Sequence, residues 1–308
     1  MRAASSHLSP LLDWPDWETQ NKIAAVDRLA ARGGASIVTV GSSIVNAGMD
    51  PVALTKALGD DRPVFNAALN GSNVPSTRLW TMQVVVPRLR PRVVVIGIDG
   101  VELNGGGRGE RRFLNLLRGS KGWRELIGSG SLYERISDRA SDWSYLVRYR
   151  SMLRKPTSLF KVDTGPVEQH VESLGTFRPG IRTERPDALR KHRFRTFDKD
   201  LLNGSPVGRN RLATLGRFVD ELTARGIRVV LVRMPTVDEI GLDANKPGPY
   251  GRIEATMNTF VATHRLRYVD LRPSFTDIAL YSDVHHVNLA GKRRVSEILT
   301  PILRSLVS

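Results

Sequence analysis

A serine-bearing turn follows the first strongly apolar stretch of the chain, and its hydroxyl groups could do chemistry. Residues 37–40, Ile-Val-Thr-Val, are apolar or β-branched and give way at once to Gly41-Ser42-Ser43. This pattern is typical of a buried strand that ends in a tight turn carrying a hydroxyl. Because ligands in open α/β folds bind at the carboxyl edge of the sheet, we expect the turn to face such a site.

Three further polar segments are expected at the same edge. Segment 66–71, Asn-Ala-Ala-Leu-Asn-Gly, follows a short apolar run, and Asp99 ends the almost continuous apolar run 93–98. Segment 283–286, Asp-Val-His-His, precedes the last predicted helix. Parallel strands present their carboxyl ends at one edge, so these segments are predicted to converge on the serine turn.

Alternating helical and extended patterns must position these residues. Apolar periodicity and cap signals predict helices over residues 18–32, 51–58, 76–86, 209–225 and 252–263, and a last helix with Val295, Ile298, Leu299, Ile302 and Leu303 on one face. Strands are predicted from residues 37, 63, 93, 228 and 267. Strands that alternate with helices in this way indicate a five-stranded parallel sheet with helices on both sides.

Length and charge limit the possible organisation. The chain has 308 residues, 41% of them hydrophobic, and no cysteine, which excludes disulfides, thiol nucleophiles and cysteine-ligated metal sites. Length allows one enlarged domain or two; we predict a single domain over residues 1–308, with an insertion at about 105–200 that caps the sheet edge. Trp123, Trp143 and Tyr145 are expected to pack in the core of this insertion, with stacking on sugars as the alternative.

Net charge is +15, and 21 Lys or Arg against 12 Asp or Glu lie between Gly105 and Asp200. Such a surface attracts polyanions, so an anionic substrate is one interpretation, and an ordinary arginine-rich solvated surface is the other. No nucleic-acid motif is present, and the scattered His and acidic residues lack metal-ligand spacing, so we expect no nucleic-acid partner, metal or cofactor. Without a visible signal peptide or membrane-spanning stretch, a cytoplasmic location is expected.

Together these segments resemble the motif blocks of the SGNH (GDSL-like) hydrolase superfamily. The resemblance is to a divergent branch of that superfamily. Gly41-Ser42-Ser43-Ile44 stands where that family has Gly-Asp-Ser-Leu, segment 66–71 matches its glycine block, and segment 283–286 followed by Val287-Asn288 matches its final Asp-x-x-His block. The third block departs, because Ile96-Gly-Ile-Asp99 stands in place of Gly-x-Asn-Asp. The resemblance implies a flavodoxin-like three-layer α/β/α sandwich.

The resemblance also divides the chemical roles. It implies Ser43 as nucleophile, His286 as the base and Asp283 as the group that orients the imidazole; Ser42 and His285 are the less favoured alternatives. Asn288 is expected to fix the loop or cap the following helix.

An oxyanion hole is implied at the backbone N–H groups of Ser43 and Gly71. In the family an asparagine completes it; here Asn70, Asn73 or Asn104 are the candidates. Asp99 occupies the neighbourhood of the missing residue, but an ionised carboxylate cannot donate a hydrogen bond.

These roles predict a serine-dependent ester hydrolase that works through an acyl-serine. An O-acyltransferase that moves the acyl group to or from a carbohydrate or another carrier is the first alternative. A non-catalytic binding protein with a degenerate site is the second. The sequence leaves the acyl group, the acceptor and the oligomeric state open.

Overall fold

The structure is a computed structural model that describes residues 12–103, 112–148, 174–175, 209–237, 240 and 249–307. Its strands are Ile37–Val40 (β1), Val64–Asn66 (β2), Val93–Ile98 (β3), Arg228–Arg233 (β4) and Arg267–Asp270 (β5). They form one sheet in the order β2-β1-β3-β4-β5, and every pairing is parallel. This is the strand order of flavodoxin-like folds, so the predicted fold class is confirmed.

Helices precede or follow every strand. In chain order those of the described residues are Trp17–Ala30 (α1), Ser43–Gly48 (α2), Pro51–Leu58 (α3), Val74–Trp80 (α4), Val86–Leu89 (α5), Gly100–Leu103 (α6), Arg112–Gly119 (α7), Lys121–Ile127 (α8), Leu132–Trp143 (α9), Tyr145–Arg148 (α10), Arg209–Ala224 (α11), Pro249–Thr263 (α12) and Leu289–Val307 (α13). None of the described helices is long and apolar enough to cross a lipid bilayer.

The sheet is covered on both faces, which explains why β1 and β3 are almost entirely apolar. All residues of β1 and β3 are buried. Val93 and Val95 share a core with α3 and α13, which pack against each other. Ile96 and Ile98 lie with residues of α4 and α11, another packed pair. Side chains alternate along a strand, so the two sets lie in separate helical layers.

One predicted helix is longer and less regular than its pattern suggests. The predicted helix 76–86 extends from Val74 to Leu89 and contains a π-helical stretch, Thr81–Val85, between α4 and α5. Pro87 follows this stretch and brings no backbone N–H to the helix. Just before the proline, the N–H of Val86 bonds to the carbonyl of Thr81, five residues earlier, which is the π-helical pattern.

The chain divides into two compact units. One comprises Met1–Gln20 and Asn115–Gln169, and the other comprises Asn21–Leu114 and His170–Ser308. The single-domain organisation with a cap at about 105–200 stays a prediction, since most of that insertion, like Asn104 and the Gly105–Gly107 run, lies outside the described residues.

The first unit is built around α8 and α9. Trp123 is buried, as expected, and the guanidinium of Arg124 donates two hydrogen bonds to the Asp138 carboxylate, at 2.9 and 2.6 Å. Trp143 at the end of α9 is 92% exposed, so the expectation that it packs in a core is wrong. Trp143 lies beyond the Arg124–Asp138 pair that joins α9 to α8.

Candidate active site

The serine turn connects β1 to a short helix that the sequence did not predict. Ser43 is the first residue of α2, and Ser42 is its N-cap. A Cβ on Gly41 would lie 2.7 Å from the carbonyl oxygen of Gly97 and 2.5 Å from the Val45 side chain, so only glycine fits there. The close approach of Gly41 to β3 therefore directs the chain so that Ser43 emerges at the carboxyl edge of the sheet.

The Ser43 hydroxyl lies at one end of a chain of hydrogen-bonded groups. Its Oγ is 2.8 Å from His286 Nε2. The other ring nitrogen, His286 Nδ1, is 2.9 Å from each carboxylate oxygen of Asp283. The structure thus brings together the three residues expected to act as nucleophile, base and orienting group, across 243 positions of sequence.

The loop that carries His286 and Asp283 is closed by backbone contacts. Tyr281 and Val287 form an antiparallel bridge across it, and Ser282 N–H donates to the His286 carbonyl at 2.8 Å. Asn288 fixes the exit from the loop as expected, because its side-chain oxygen accepts from the N–H groups of Ala290 and Gly291 at the start of α13. A loop tied in this way holds the imidazole in one place.

Asp283 is ionised over the whole neutral range. Partial burial raises the pKa of its carboxyl, but the hydrogen bond from the His286 side chain and those from the N–H groups of His285 and His286 outweigh burial and lower the pKa to about 2. The carboxylate is therefore ready to orient and charge-stabilise the imidazole. The ring of His285 is exposed, and its centroid lies 6.4 Å from that of His286, so His286 is the histidine that reaches Ser43.

Gly71 lies in a turn attached directly to the serine turn. The carbonyl of Gly41 accepts hydrogen bonds from Leu69 N–H at 3.1 Å and from Ser72 Oγ at 2.8 Å. Gly71 has a φ of +71°, a conformation that favours glycine. Among the described residues, neither Ser43 N–H nor Gly71 N–H meets an acceptor. Two such N–H groups on joined turns are suited to stabilise an oxyanion.

The candidates for the third oxyanion donor are placed differently. Asn73 caps α4, where its side-chain oxygen accepts from Ser76 N–H at 3.2 Å. Asp99 starts α6 in a similar way, with its carboxylate 2.7 Å from Glu102 N–H. Asn70 is half-buried in the turn before Gly71, and its side-chain oxygen accepts from Asn46 Nδ2 at 3.0 Å. Asn104 lies outside the described residues.

A buried lysine beneath these turns was missed by the sequence analysis. Lys22 on α1 is fully buried, and its ammonium group donates to Asn46 Oδ1 at 2.8 Å and to the carbonyl of Ala68. Asn46 in turn donates to Asn70, so α1, α2 and the Gly71 turn share one polar network. The signal was available, since Lys22 falls one helical turn before Val26 on the apolar stripe of α1.

Replacing Lys22 with methionine is expected to destabilise the fold by about 3 kcal/mol, because two buried acceptors, Asn46 Oδ1 and Ala68 O, lose their donor. Urea unfolding measures this loss in the free energy of unfolding, provided that the dependence of that free energy on urea concentration is the same in both proteins. Lys56 on α3 is exposed, and Lys56→Met is the matched control with an expected change within about 0.5 kcal/mol. Equal stability of the two variants would contradict a structural role for the network.

Metal ligands are not grouped within the described ranges: no set of three or more His, Asp or Glu side chains there could hold a metal ion. The site that the structure assembles is instead a chain of oxygen and nitrogen groups. Its members are the Ser43 hydroxyl, the His286 imidazole and the Asp283 carboxylate. Such an arrangement can move a proton away from a hydroxyl group and return it.

Comparison with known proteins gives matches only among solved structures. No family model and no curated protein matches the chain. TesA is 15% identical with a TM-score of 0.44, over 88% of this chain and 98% of TesA. A GDSL-like lipase from Bacteroides thetaiotaomicron is 11% identical with a TM-score of 0.42, over 93% and 100% of the two chains. An acetylxylan esterase from Geobacillus stearothermophilus is 13% identical, also with a TM-score of 0.42, over 89% and 95%.

Proposed function

We propose that the protein is a serine-dependent ester hydrolase that forms a covalent acyl-serine at Ser43. The observation that carries this proposal is the continuous set of hydrogen bonds from Ser43 Oγ through His286 to Asp283, at 2.8 and 2.9 Å. A serine hydroxyl is a weak nucleophile until a base accepts its proton and a third group orients that base. His286 is the candidate for that base and Asp283 for the third group, and both lie on one loop that backbone contacts close.

Acylation begins when Ser43 Oγ attacks the carbonyl carbon of the ester and its proton moves to His286 Nε2. The carbonyl oxygen becomes negative and is stabilised by the N–H groups of Ser43 and Gly71. The bond to the alcohol then breaks, and the imidazolium returns the proton to the departing oxygen. Asp283 carries a full negative charge throughout and stabilises the imidazolium between the two transfers.

Deacylation repeats these steps with a second nucleophile. In the hydrolase, His286 removes a proton from water, which attacks the acyl-serine and releases the acid. In the alternative, an O-acyltransferase, the hydroxyl of a carbohydrate or another carrier takes the place of water. The net charge of +15 favours an anionic substrate or acceptor for either reaction.

A fluorophosphonate probe tests whether Ser43 forms a covalent adduct. We expect one probe molecule per chain by intact mass, with the adduct on the peptide that contains Ser43. Intact protein that stays unlabelled, in conditions that label a known serine hydrolase, would favour the binding-protein alternative over catalysis.

Ester cleavage measured with and without an added acyl acceptor distinguishes hydrolysis from acyl transfer. A short-chain chromogenic ester is expected to release its alcohol in water alone, with free acid as the second product. Release only in the presence of added sugar or alcohol, with the acyl group recovered on that acceptor, would replace the hydrolase proposal by the acyltransferase.

A further inference from the structure

A buried carboxyl lies beside the serine turn and contacts the residue before Ser43. Glu102 on α6 is 8% exposed, and its side chain is hydrogen-bonded to the side chain of Ser42. Within the described part of the chain, its Oε1 is buried and has no hydrogen-bond partner. Glu102 borders a small cavity of about 10 Å³ that is also lined by Gly41 and Gly97, and a Cβ on Gly41 would lie 2.7 Å from the Gly97 carbonyl oxygen.

Both the backbone carbonyl and the side chain of Ser42 are hydrogen-bonded. Its carbonyl accepts the first hydrogen bonds of α2, from Val45 N–H at 3.1 Å and Asn46 N–H at 3.0 Å. Its side chain makes no cap bond to its own helix and is instead hydrogen-bonded to Glu102. An N-cap serine ordinarily uses its hydroxyl for its own helix, so the contact with Glu102 replaces that cap and connects α6 to the residue before Ser43.

We propose that Glu102 is a positioning residue, whose carboxyl holds Ser42 and thereby keeps Ser43 in its reactive geometry, and whose neutral form keeps negative charge away from the serine turn. The inference rests on the proposed acyl-serine function and deepens it, because it assigns a role to the segment that departs from the family's third block. The Ser42 hydroxyl can donate to either form of the carboxyl, and its hydrogen bond lowers the pKa of Glu102, so the contact itself persists in both charge states. What ionisation changes is the charge: it would place a negative charge beside the turn at which the ester oxygen becomes negative.

Two charged groups face Glu102 from neighbouring segments. Burial has the largest effect and raises the pKa of the Glu102 carboxyl, and the charge of Asp99, just after β3, raises it further. The hydrogen bond from Ser42 lowers this pKa, as does Arg211 on α11, whose guanidinium donates to the Glu102 carbonyl at 2.9 Å; the net value is about 8. Glu102 is therefore neutral below about pH 8 and becomes charged as the pH rises through that value.

The rate of Ser43 labelling by a fluorophosphonate tests this proposal as a function of pH. Between about pH 7 and about pH 9 the neutral fraction of a group with a pKa of about 8 falls about tenfold, and we expect the wild-type labelling rate to fall by that factor. Glu102→Gln stays neutral and keeps the shape of the donor and acceptor, so its ratio of rates at the two pH values is expected to stay near one. Exposed Glu297→Gln is the control and should keep the wild-type ratio.

A wild-type labelling rate that does not change between about pH 7 and about pH 9 would overturn the proposal. So would a fall in the labelling rate that is equally large in Glu102→Gln. A second measurement separates this outcome from failure of the acyl-serine function. By NMR, the Glu102 carboxyl carbon is expected to titrate near pH 8, and the Ser43 amide to follow it in the wild type but not in Ser42→Ala or Glu102→Gln. If no labelling occurs at any pH, the NMR result still decides the positioning role. A Ser43 amide shift that changes with the ionisation of Glu102 supports that role, and a Ser43 amide shift that does not change refutes it.

Discussion

Ser43→Ala is expected to lower ester turnover by about 10⁵-fold and to abolish fluorophosphonate labelling. The substitution removes the single atom that is 2.8 Å from His286 Nε2 and leaves the rest of the turn in place. The neighbouring hydroxyl, that of Ser42, is not expected to take its place, because it is buried and bonded to Glu102. Steady-state kinetics with a chromogenic ester measure the loss, and the residual rate reports what the oxyanion donors supply without a nucleophile.

Adding His286→Ala to this variant is expected to cause little further loss, because two groups that act in one step are not additive. Exposed Ser305→Ala is the matched control and should keep full activity. Labelling that survives in Ser43→Ala would show that another residue is the nucleophile. Ser42 would then be the first residue to test.

The strands and the order of the site segments could be predicted from sequence because both depend on local patterns. Apolar runs such as Val93–Ile98 are long enough to identify buried parallel strands, and all six residues are buried. The spacing of Asp283 and His286, three positions apart, indicates a single loop, and one loop carries both. A polar residue at the end of an apolar strand is visible without any tertiary information.

Helix α2 could not be predicted because its stability comes from the rest of the fold. Its sequence, Ser-Ile-Val-Asn-Ala-Gly, is poor in strong helix formers. The helix is completed by Asn66 on β2, whose side-chain amide lies 3.3 Å from each of the carbonyls of Val45, Asn46 and Met49. These acceptors are 17 to 21 positions away in sequence, a distance at which no periodicity connects them.

Glu102 shows the same limit at the site. The spacing of Asp99 and Glu102 is typical of the start of a helix, where the carboxylate of an N-cap residue accepts a hydrogen bond from the backbone N–H three residues later. The structure has this bond, from Glu102 N–H to the Asp99 carboxylate, at 2.7 Å. The sequence thus indicates a short helix, but nothing local indicates that the Glu102 side chain points back to Ser42. That contact joins α6 to the N-cap residue of α2, two segments far apart in sequence that only the folded sheet brings together.

Asp283→Asn is expected to lower turnover by about 10³- to 10⁴-fold while the nucleophile and the base stay in place. The carboxylate accepts from His286 Nδ1 at 2.9 Å, which leaves Nε2 free to accept the Ser43 proton. An asparagine can present its NH₂ to Nδ1 and so favour the wrong tautomer, and it carries no charge to stabilise the imidazolium. Since the pKa of Asp283 is about 2, the wild type keeps this charge at any pH above about 4, and the loss in the variant should be present across the neutral range.

The comparison variant is Asp277→Asn, an exposed carboxylate in the same region that accepts from Ala279 N–H. Asparagine preserves that cap, so its activity and stability are expected to match the wild type. In Asp283→Asn the loss should fall on kcat more than on KM, because the carboxylate contacts the base and not the ester. Turnover within about tenfold of the wild type would mean that His286 is oriented by its loop alone, and that Asp283 acts through the backbone N–H groups of His285 and His286 that it binds.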